Sequence, residues 1–526
     1  MKPRESVINW RRVLSALLLL VAVTGTSLQL HVGLADNGDY TRLMQWFSSG
    51  PSGFAENWPP EGSAAYDDRF YNNVPAFWKL DFPFASRWVS SVLLLWLPGL
   101  LLNVLLFSTD TLYLPLLSIA PRLFLLFFLW LLLRHFAREG GRAAPLLYAV
   151  VGIPLVFLSF NTDYVAYFTS FYQEPASLIG LCLILLAIGY YTGRGDSRGR
   201  PWLSAAAVLF MTTAKLSNIH WALLAMLLLV PWRLLWHRRR RLALYVLLIG
   251  ILPTGFSLLQ SSLYGTRTVN AYQSIYCGGL VFSSRPASHL QRLGMSDGLQ
   301  YIGHHAYGPE GKEAMLRYPD RMSHRTVADI LLHEPAITWR MLVFAADSMQ
   351  RAELTHLSKT VLYNQSAAQR PWARWTPVAA AQASPLDGWS RLKRSVFPRG
   401  RALIAGTLLL LLVFLRARKS RNLLLRRFAS VGVLLALGLL ADMWMQIFGD
   451  GQRDLIKHLY LANICWDGML IAGLGALAAM LKGSEEKNAA DRGPRADRGS
   501  RDARRSRAGR EPRTGHAPRR DRVQHG

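Results

Sequence analysis

Cysteine is nearly absent from this 526-residue chain, which carries three. Cys182 and Cys465 fall in apolar runs and Cys277 stands alone in a polar segment, so a disulfide framework is not expected. Acidic residues are also scarce, 33 against 60 lysines and arginines, for a formal net charge of +27. No phosphate-cradling glycine loop, dinucleotide fingerprint or nucleophile elbow sits where its strand and helix would be needed, so cytosolic nucleotide chemistry has no support. His304-His305 lacks a third ligand at fixed spacing and is a poor metal motif. No internal repeat is visible.

What the chain has in abundance is apolar sequence, 51% of its residues. It is gathered into runs long enough to cross a hydrocarbon core of roughly 30 Å, which excludes an ordinary soluble fold. The runs are Val13 to Leu30, Leu116 to Leu133, Leu146 to Phe160, Ala176 to Tyr190, Leu242 to Leu259, Ala402 to Leu415, Val431 to Met443 and Leu459 to Leu481. Trp202 to Trp236 is twice a single span in length and is interrupted by Lys215-Leu216-Ser217-Asn218, which predicts two short helices meeting at a polar turn. The expected fold class is therefore an all-α polytopic membrane protein of about ten transmembrane helices.

The positive charge suggests nucleic acid until its placement is considered. Basic residues gather at the N-terminus (Lys2, Arg4, Arg11, Arg12) and in every second loop: Arg134/Arg138/Arg142, Arg194/Arg198/Arg200, Arg238 to Arg241, and Arg416/Arg418/Lys419/Arg421. This is the positive-inside pattern, with both termini cytoplasmic and no nucleic-acid partner. Counting Ser90 to Phe107 as a full span would invert all later loops. The segment, with Pro98 and Gly99 at its centre, is expected to be re-entrant or interfacial near 90–107. The run behind Arg11-Arg12 lacks a convincing cleavage site and reads as a retained signal anchor.

Four regions follow: residues 1–262, a transmembrane module with a first outer loop at 35–90; 263–400, a large extracytoplasmic loop; 401–482, C-terminal transmembrane helices; and 483–526, a basic cytoplasmic tail expected to be disordered. Within the large loop, Thr326 to Met349 has the apolar periodicity of one helix.

Polar residues of chemical interest cluster in the outer loops. Asp36 and Asp39, with Arg42, lie in Ala35-Asp36-Asn37-Gly38-Asp39-Tyr40-Thr41-Arg42. A carboxylate there can serve as general base toward a hydroxyl, though helix capping accounts for the same pattern. Gly449-Asp450-Gly451-Gln452-Arg453-Asp454-Leu455-Ile456-Lys457-His458 precedes the last span. If helical, it puts Asp450, Asp454 and His458 on one face and Arg453 and Lys457 on a neighbouring one. The alternative is a solvated helix start with internal ion pairs. Asp467, inside the last span, is expected to be paired or functional. Tyr164 to Pro175 is an aromatic-rich turn, with Tyr172 suited to a sugar ring or to the membrane interface and Glu174 at a helix start. Lys215 with Asn218 can hold a lipid phosphate or snorkel to the surface.

The strings ADNGDYTR, YFTSFYQEPAS, TAKLSN, NAYQSIYCGGL and GDGQRDLIKHLYLAN, in this order and topology, resemble the GT-C superfamily of membrane glycosyltransferases. Within it they are similar to bacterial hexose transferases of surface-layer and cell-wall glycan assembly. The resemblance runs to about Lys482 and excludes the tail. It implies an inverting enzyme of the bacterial plasma membrane that moves a hexose from a polyprenyl-phosphate carrier to a glycan or cell-wall acceptor on the outer face. It places the catalytic acid at Asp36 or Asp39. Lys215, Arg453 and Lys457 would stabilise the departing phosphate, and Arg42, Tyr172, Glu174, Asn218, Asp450, Asp454 and His458 would line the substrate site. The resemblance fixes no cofactor: inverting transfer from a lipid phosphate does not require a metal, and the acids near His458 permit a divalent one. TAKLSN has Leu-Ser where the family leads one to expect Leu-Gln, and the NAYQ segment carries Cys277. The competing function is a transporter or flippase of lipid-linked glycans, for which charges near the bilayer midplane and two related halves are expected.

Overall fold

A computed structural model describes residues 10–28, 30, 33–34, 39–50, 74–139, 144–191, 199–229, 239–263, 266–349, 362–363, 389, 392–393, 395, 400–452 and 455–491. Six helices are long and apolar enough to cross a membrane: Trp10–Ser27, Leu114–Arg134, Arg240–Gln260, Gly400–Ala417, Leu423–Asp450 and Tyr460–Leu481. Pro145–Ser159 and Asp163–Thr169, bent by 53°, make a seventh if counted as one span. The other apolar segments form shorter helices, Val92–Leu106, Glu174–Ile188, Trp202–Ala214 and Leu216–Leu228. The difference from the expected ten spans is one of helix length, because proline and polar residues interrupt these runs before about 20 residues are reached.

Met1–Ala479 is one compact unit, and Met480–Gly526 is a second. Residues 483–491, expected to be disordered, are helical at the end of Tyr460–Asp491. Their Glu, Lys and Ala are good helix formers and prolong a helix already nucleated. The rest of the expected tail lies outside the described residues.

The interrupted run behaves as its composition predicts. Gly199–Ala214 ends at Lys215, which is extended (φ −146°, ψ 140°), and a 3-10 turn at Leu216–Ile219 leads into His220–Leu229. Gly180 lets Glu174–Tyr191 lie directly on Gly199–Ala214: a Cβ at Gly180 would come within 2.7 Å of the Met211 Cα. Small residues are how membrane helices achieve such backbone approach. Val92–Leu106 carries Pro98 within it and is helical throughout, with Leu94, Leu97, Leu101 and Leu105 exposed.

The expected single helix at Thr326 to Met349 is two, His324–His333 and Ala336–Met349. The residue before a proline is driven out of the helical region, and Glu334, before Pro335, has φ −141° and ψ 75°. The break turns Glu334 inward. Its carboxylate accepts from the Ser283 hydroxyl (2.6 Å) and from Ser284 N (3.0 Å) and Oγ (2.8 Å), and pairs with His289 (3.1 Å) and Arg340 (2.9 Å). Burial raises a carboxyl's pKa, but these donors outweigh it and hold Glu334 well below the ordinary range. Two small ladders complete the polar region: Phe77–Lys79 pairs antiparallel with Thr111–Tyr113, and Val74–Pro75 pairs parallel with Leu362–Tyr363.

Several charges inside the helical body are paired. The Lys393 ammonium, 3% exposed, donates to Asp467 Oδ1 (3.0 Å) and Asn463 Oδ1 (2.8 Å), while the Tyr164 hydroxyl donates to Asp467 Oδ2. Asp442 accepts from Ala462 N (2.9 Å) and Gln446 Nε2 (3.1 Å), and His220 Nε2 lies 3.6 Å away. Removing one member of a buried pair strands the other charge at a cost of about 3–5 kcal/mol, whereas replacing both with apolar residues is close to neutral. Lys393→Met is therefore expected to lower the thermal midpoint in detergent sharply. The double variant Lys393→Met/Asp467→Leu should recover most of the loss.

Candidate functional site

Several helix ends converge on one group of charged side chains. Leu423–Asp450 stops because Gly451 takes φ +63° and ψ −140°, a conformation open to glycine and almost no other residue. Space enforces the same choice, since a Cβ on Gly451 would lie 2.4 Å from the Cys277 carbonyl. The turn is docked on the π-helical segment Gln273–Gly279: Ser274 Oγ donates to the Gly449 carbonyl (2.9 Å), and Gln452 N donates to that of Cys277 (3.0 Å). Residues Gly449 to His458 thus do not form one continuous helix. The break still leaves Asp450 facing His458, carried by Leu455–His458.

Asp39 precedes the short helix Thr41–Met44. Next to it, Tyr40 is packed against Trp78, Phe171 and Tyr172, with ring centroids 5.0–5.6 Å apart. This buried aromatic cluster fixes the backbone from which Asp39 and Arg42 project.

Asp39 Oδ1 pairs with Arg42 Nη1 at 2.9 Å and Oδ2 with the Lys457 ammonium. The Lys457 side chain is 1% exposed and sits 5.7 Å from the centre of the Tyr172 ring, whereas Arg42 is 35% exposed and lies over Trp88 at 5.2 Å. Tyr307, from the large polar segment, lies near enough to Arg42 to interact with its charge. His458 Nε2 is 3.2 Å from Asp450 Oδ2, and its Nδ1 is 3.2 Å from the Lys215 ammonium. Lys215 also donates to Glu174 Oε1 (3.0 Å). Glu174 stands in the first turn of its helix and Lys215 just past the end of another, so each has the charge its helix end favours.

The electrostatics follow from these contacts. Burial by itself raises the Asp39 pKa, but Lys457 and Arg42 overcome it and hold the carboxyl far below the usual carboxylate range. Burial, then the ammonium groups of Lys215 and Lys457, push the His458 imidazole well below its ordinary value and keep it neutral. An ammonium can only donate, so Nδ1 of the neutral ring accepts from Lys215 and the ring proton sits on Nε2, toward Asp450.

Of the residues singled out from sequence, the fold brings together Asp39, Arg42, Tyr172, Glu174, Lys215, Asp450, Lys457 and His458. Asn218 is buried in the packing beside this group: its Nδ2 donates to Ser177 Oγ (2.8 Å) and the Met211 carbonyl (3.0 Å). Asp36, Arg453 and Asp454 lie outside the described residues. Trp88 and Tyr307, both at Arg42, had no distinguishing signal, since nothing in their local sequence announces a partner so distant along the chain. Among the described residues no group of three or more metal-ligating side chains is arranged to hold a metal ion.

Long apolar helices, paired charges within them and a polar cluster at their ends define the chain as a polytopic helical membrane protein. It belongs to the family of the YfdI N-terminal transmembrane domain, whose model matches residues 4–493. No curated protein and no solved structure matches the chain.

Gly451→Ala, which must distort the turn, should cost on the order of 1–3 kcal/mol, measurable as a lower thermal midpoint in detergent. Stability also depends on pH. Because His458 has a lower pKa folded than unfolded, the unfolded chain binds more protons below pH about 6.5, and stability falls as pH is lowered through that region. The fall in thermal midpoint between pH 7.5 and 5.5 should be smaller in His458→Gln, which has no proton to take up there.

Proposed function

We propose that the chain is a membrane glycosyltransferase of GT-C type, moving a hexose from a polyprenyl-phosphate donor to a glycan or cell-envelope acceptor on the outer face of the bacterial plasma membrane. The observation that carries this reading is an accessible guanidinium, Arg42, set beside two carboxylates where membrane helices end. A lipid-linked phosphate enters from the bilayer and needs a cation at that boundary. Arg42 offers a planar fork that matches phosphate oxygens, and the Trp88 ring orients it. Lys457 is too buried to reach an incoming ligand directly and contributes through the field of its charge.

Three carboxylates (Asp39, Glu174, Asp450) balance three cations (Arg42, Lys215, Lys457) around a neutral histidine. Phosphate binding would draw Arg42 partly away from Asp39. In the transfer, the acceptor hydroxyl loses its proton to a carboxylate as its oxygen attacks the anomeric carbon, and the carbon–oxygen bond to phosphate breaks toward the cations. The alternating basic loops support the outer-face orientation. Transport of a lipid-linked glycan is the second reading, favoured by the charges Asp442 and Asp467 within spanning helices, although both are buried and paired.

The test is purified chain in nanodiscs supplied with labelled polyprenyl-phosphate hexoses and a glycan acceptor. Hexose transfer is expected, and Arg42→Ala should weaken donor binding about 10–100-fold, with partial recovery in Arg42→Lys. Movement of the donor across vesicle bilayers without any transfer would favour transport.

A further inference from the structure

The two carboxylates nearest Arg42 are not equivalent. Asp39 has a cation on each oxygen, Arg42 on Oδ1 and Lys457 on Oδ2. A carboxylate so held is a weak base, and its negative charge is what keeps the buried Lys457 ammonium in place. Asp450 is built differently. Its Oδ2 faces the Nε2 proton of His458, and among the described residues no hydrogen bond engages its Oδ1. The His458 ring is itself fixed, because Lys215 occupies Nδ1 and Glu174 anchors Lys215. Glu174, Lys215, His458 and Asp450 therefore form a directed series that ends in a carboxylate with one oxygen oriented and one available. The Asp450 side chain is 24% exposed, so the carboxylate is not sealed from its surroundings.

We propose that Asp450, oriented by His458, is the general base of the transfer, and that Asp39 is a positioning residue for Arg42 and Lys457. The inference rests on the sugar-transfer reading given above. In the step, Asp450 Oδ1 takes the proton of the acceptor hydroxyl while the hydroxyl oxygen bonds to the anomeric carbon. The bond from that carbon to the phosphate oxygen breaks, and its electron pair leaves with the polyprenyl phosphate. The products are a glycoside, a polyprenyl phosphate dianion beside Arg42, and a protonated Asp450 that returns its proton to solvent. His458 never gains a net proton. Its role is to hold Asp450 in one rotamer and present an N–H to it, as the third member of a nucleophile–base series orients the second.

The experiment uses the full chain in nanodiscs, labelled short-chain polyprenyl-phosphate hexoses as donors and an alkyl glycoside as acceptor, with donor affinity and kcat measured separately. Donor binding also reports that each variant is folded. Asp450→Asn is expected to lower kcat about 100-fold with donor affinity within threefold of the unmodified chain, the size of effect usual for a lost general base. Asp39→Asn is expected to weaken donor binding about tenfold and to change kcat less. Formate should restore transfer to Asp450→Ala and not to Asp39→Ala. His458→Phe should move the acid limb of the pH dependence of kcat, because Asp450 loses its N–H neighbour while Lys457, Lys215, Arg42 and Asp39 still face it. Transfer by Asp450→Asn at more than a third of the normal kcat, or formate rescue of Asp39→Ala in its place, would overturn the assignment and leave sugar transfer standing. An unmodified chain that binds the donors and transfers hexose neither to the acceptor nor to water would overturn both.

Discussion

A lysine ammonium buried to 1% exposure needs a counter-charge, and for Lys457 that counter-charge is Asp39, 418 positions earlier in the chain. The polar segment after the first helix and the segment before the last are bound together by this requirement. Everything else at the site is arranged around it. Tyr40 and its aromatic neighbours hold Asp39 from one side, while Gly451 and the π-helical segment hold the other. Arg42 completes the neutralisation of Asp39 and remains the cation with access to the surroundings. The chemistry available to the site comes from dividing its charges between those that hold the structure and those left to meet a ligand.

The same rule operates within the helical body. Lys393, Asp467 and Asp442 each have hydrogen-bonding partners, and Arg122 donates to Ser118 and Thr169. An isolated charge in a medium of low dielectric is costly, so these groups join specific helices to one another more selectively than apolar contacts can. Lys393 is held against the helix Tyr460–Asp491 by Asp467, and Asp442 joins the two longest helices through the Ala462 amide.

Much of this architecture was legible in the sequence because the bilayer imposes strong periodic constraints. Apolar runs located the long helices, and Lys215 to Asn218 marked a real break in one of them. Asp467, an acid within a span, is expected from sequence to be paired or functional, and it is paired with Lys393. Helix length was less legible, because composition alone does not distinguish a full crossing from a 15-residue helix such as Val92–Leu106. The break at Glu334 was signalled by Pro335, but apolar periodicity continued through it. At the site, charge type and proximity to a span picked out Asp39, Arg42, Lys215, Lys457 and His458. The pairing among them was hidden, since partners so remote in sequence are joined by tertiary structure alone. For that reason the sequence offered Asp36 or Asp39 as the reacting acid without revealing that both oxygens of Asp39 are occupied.

The interrupted pair of helices at Lys215 also has a consequence for how the protein is made. Neither half is long enough to settle across a bilayer alone, so each depends on neighbours already inserted. Chains emerge N-terminus first, and Glu174 is therefore available to Lys215 as soon as that turn appears. Lys457 and His458 arrive much later, just ahead of the last helix. Until then Asp39 and Lys215 each lack one of their final partners, so the charged cluster assembles in two stages and is closed by a segment whose His458 emerges 243 residues after Lys215.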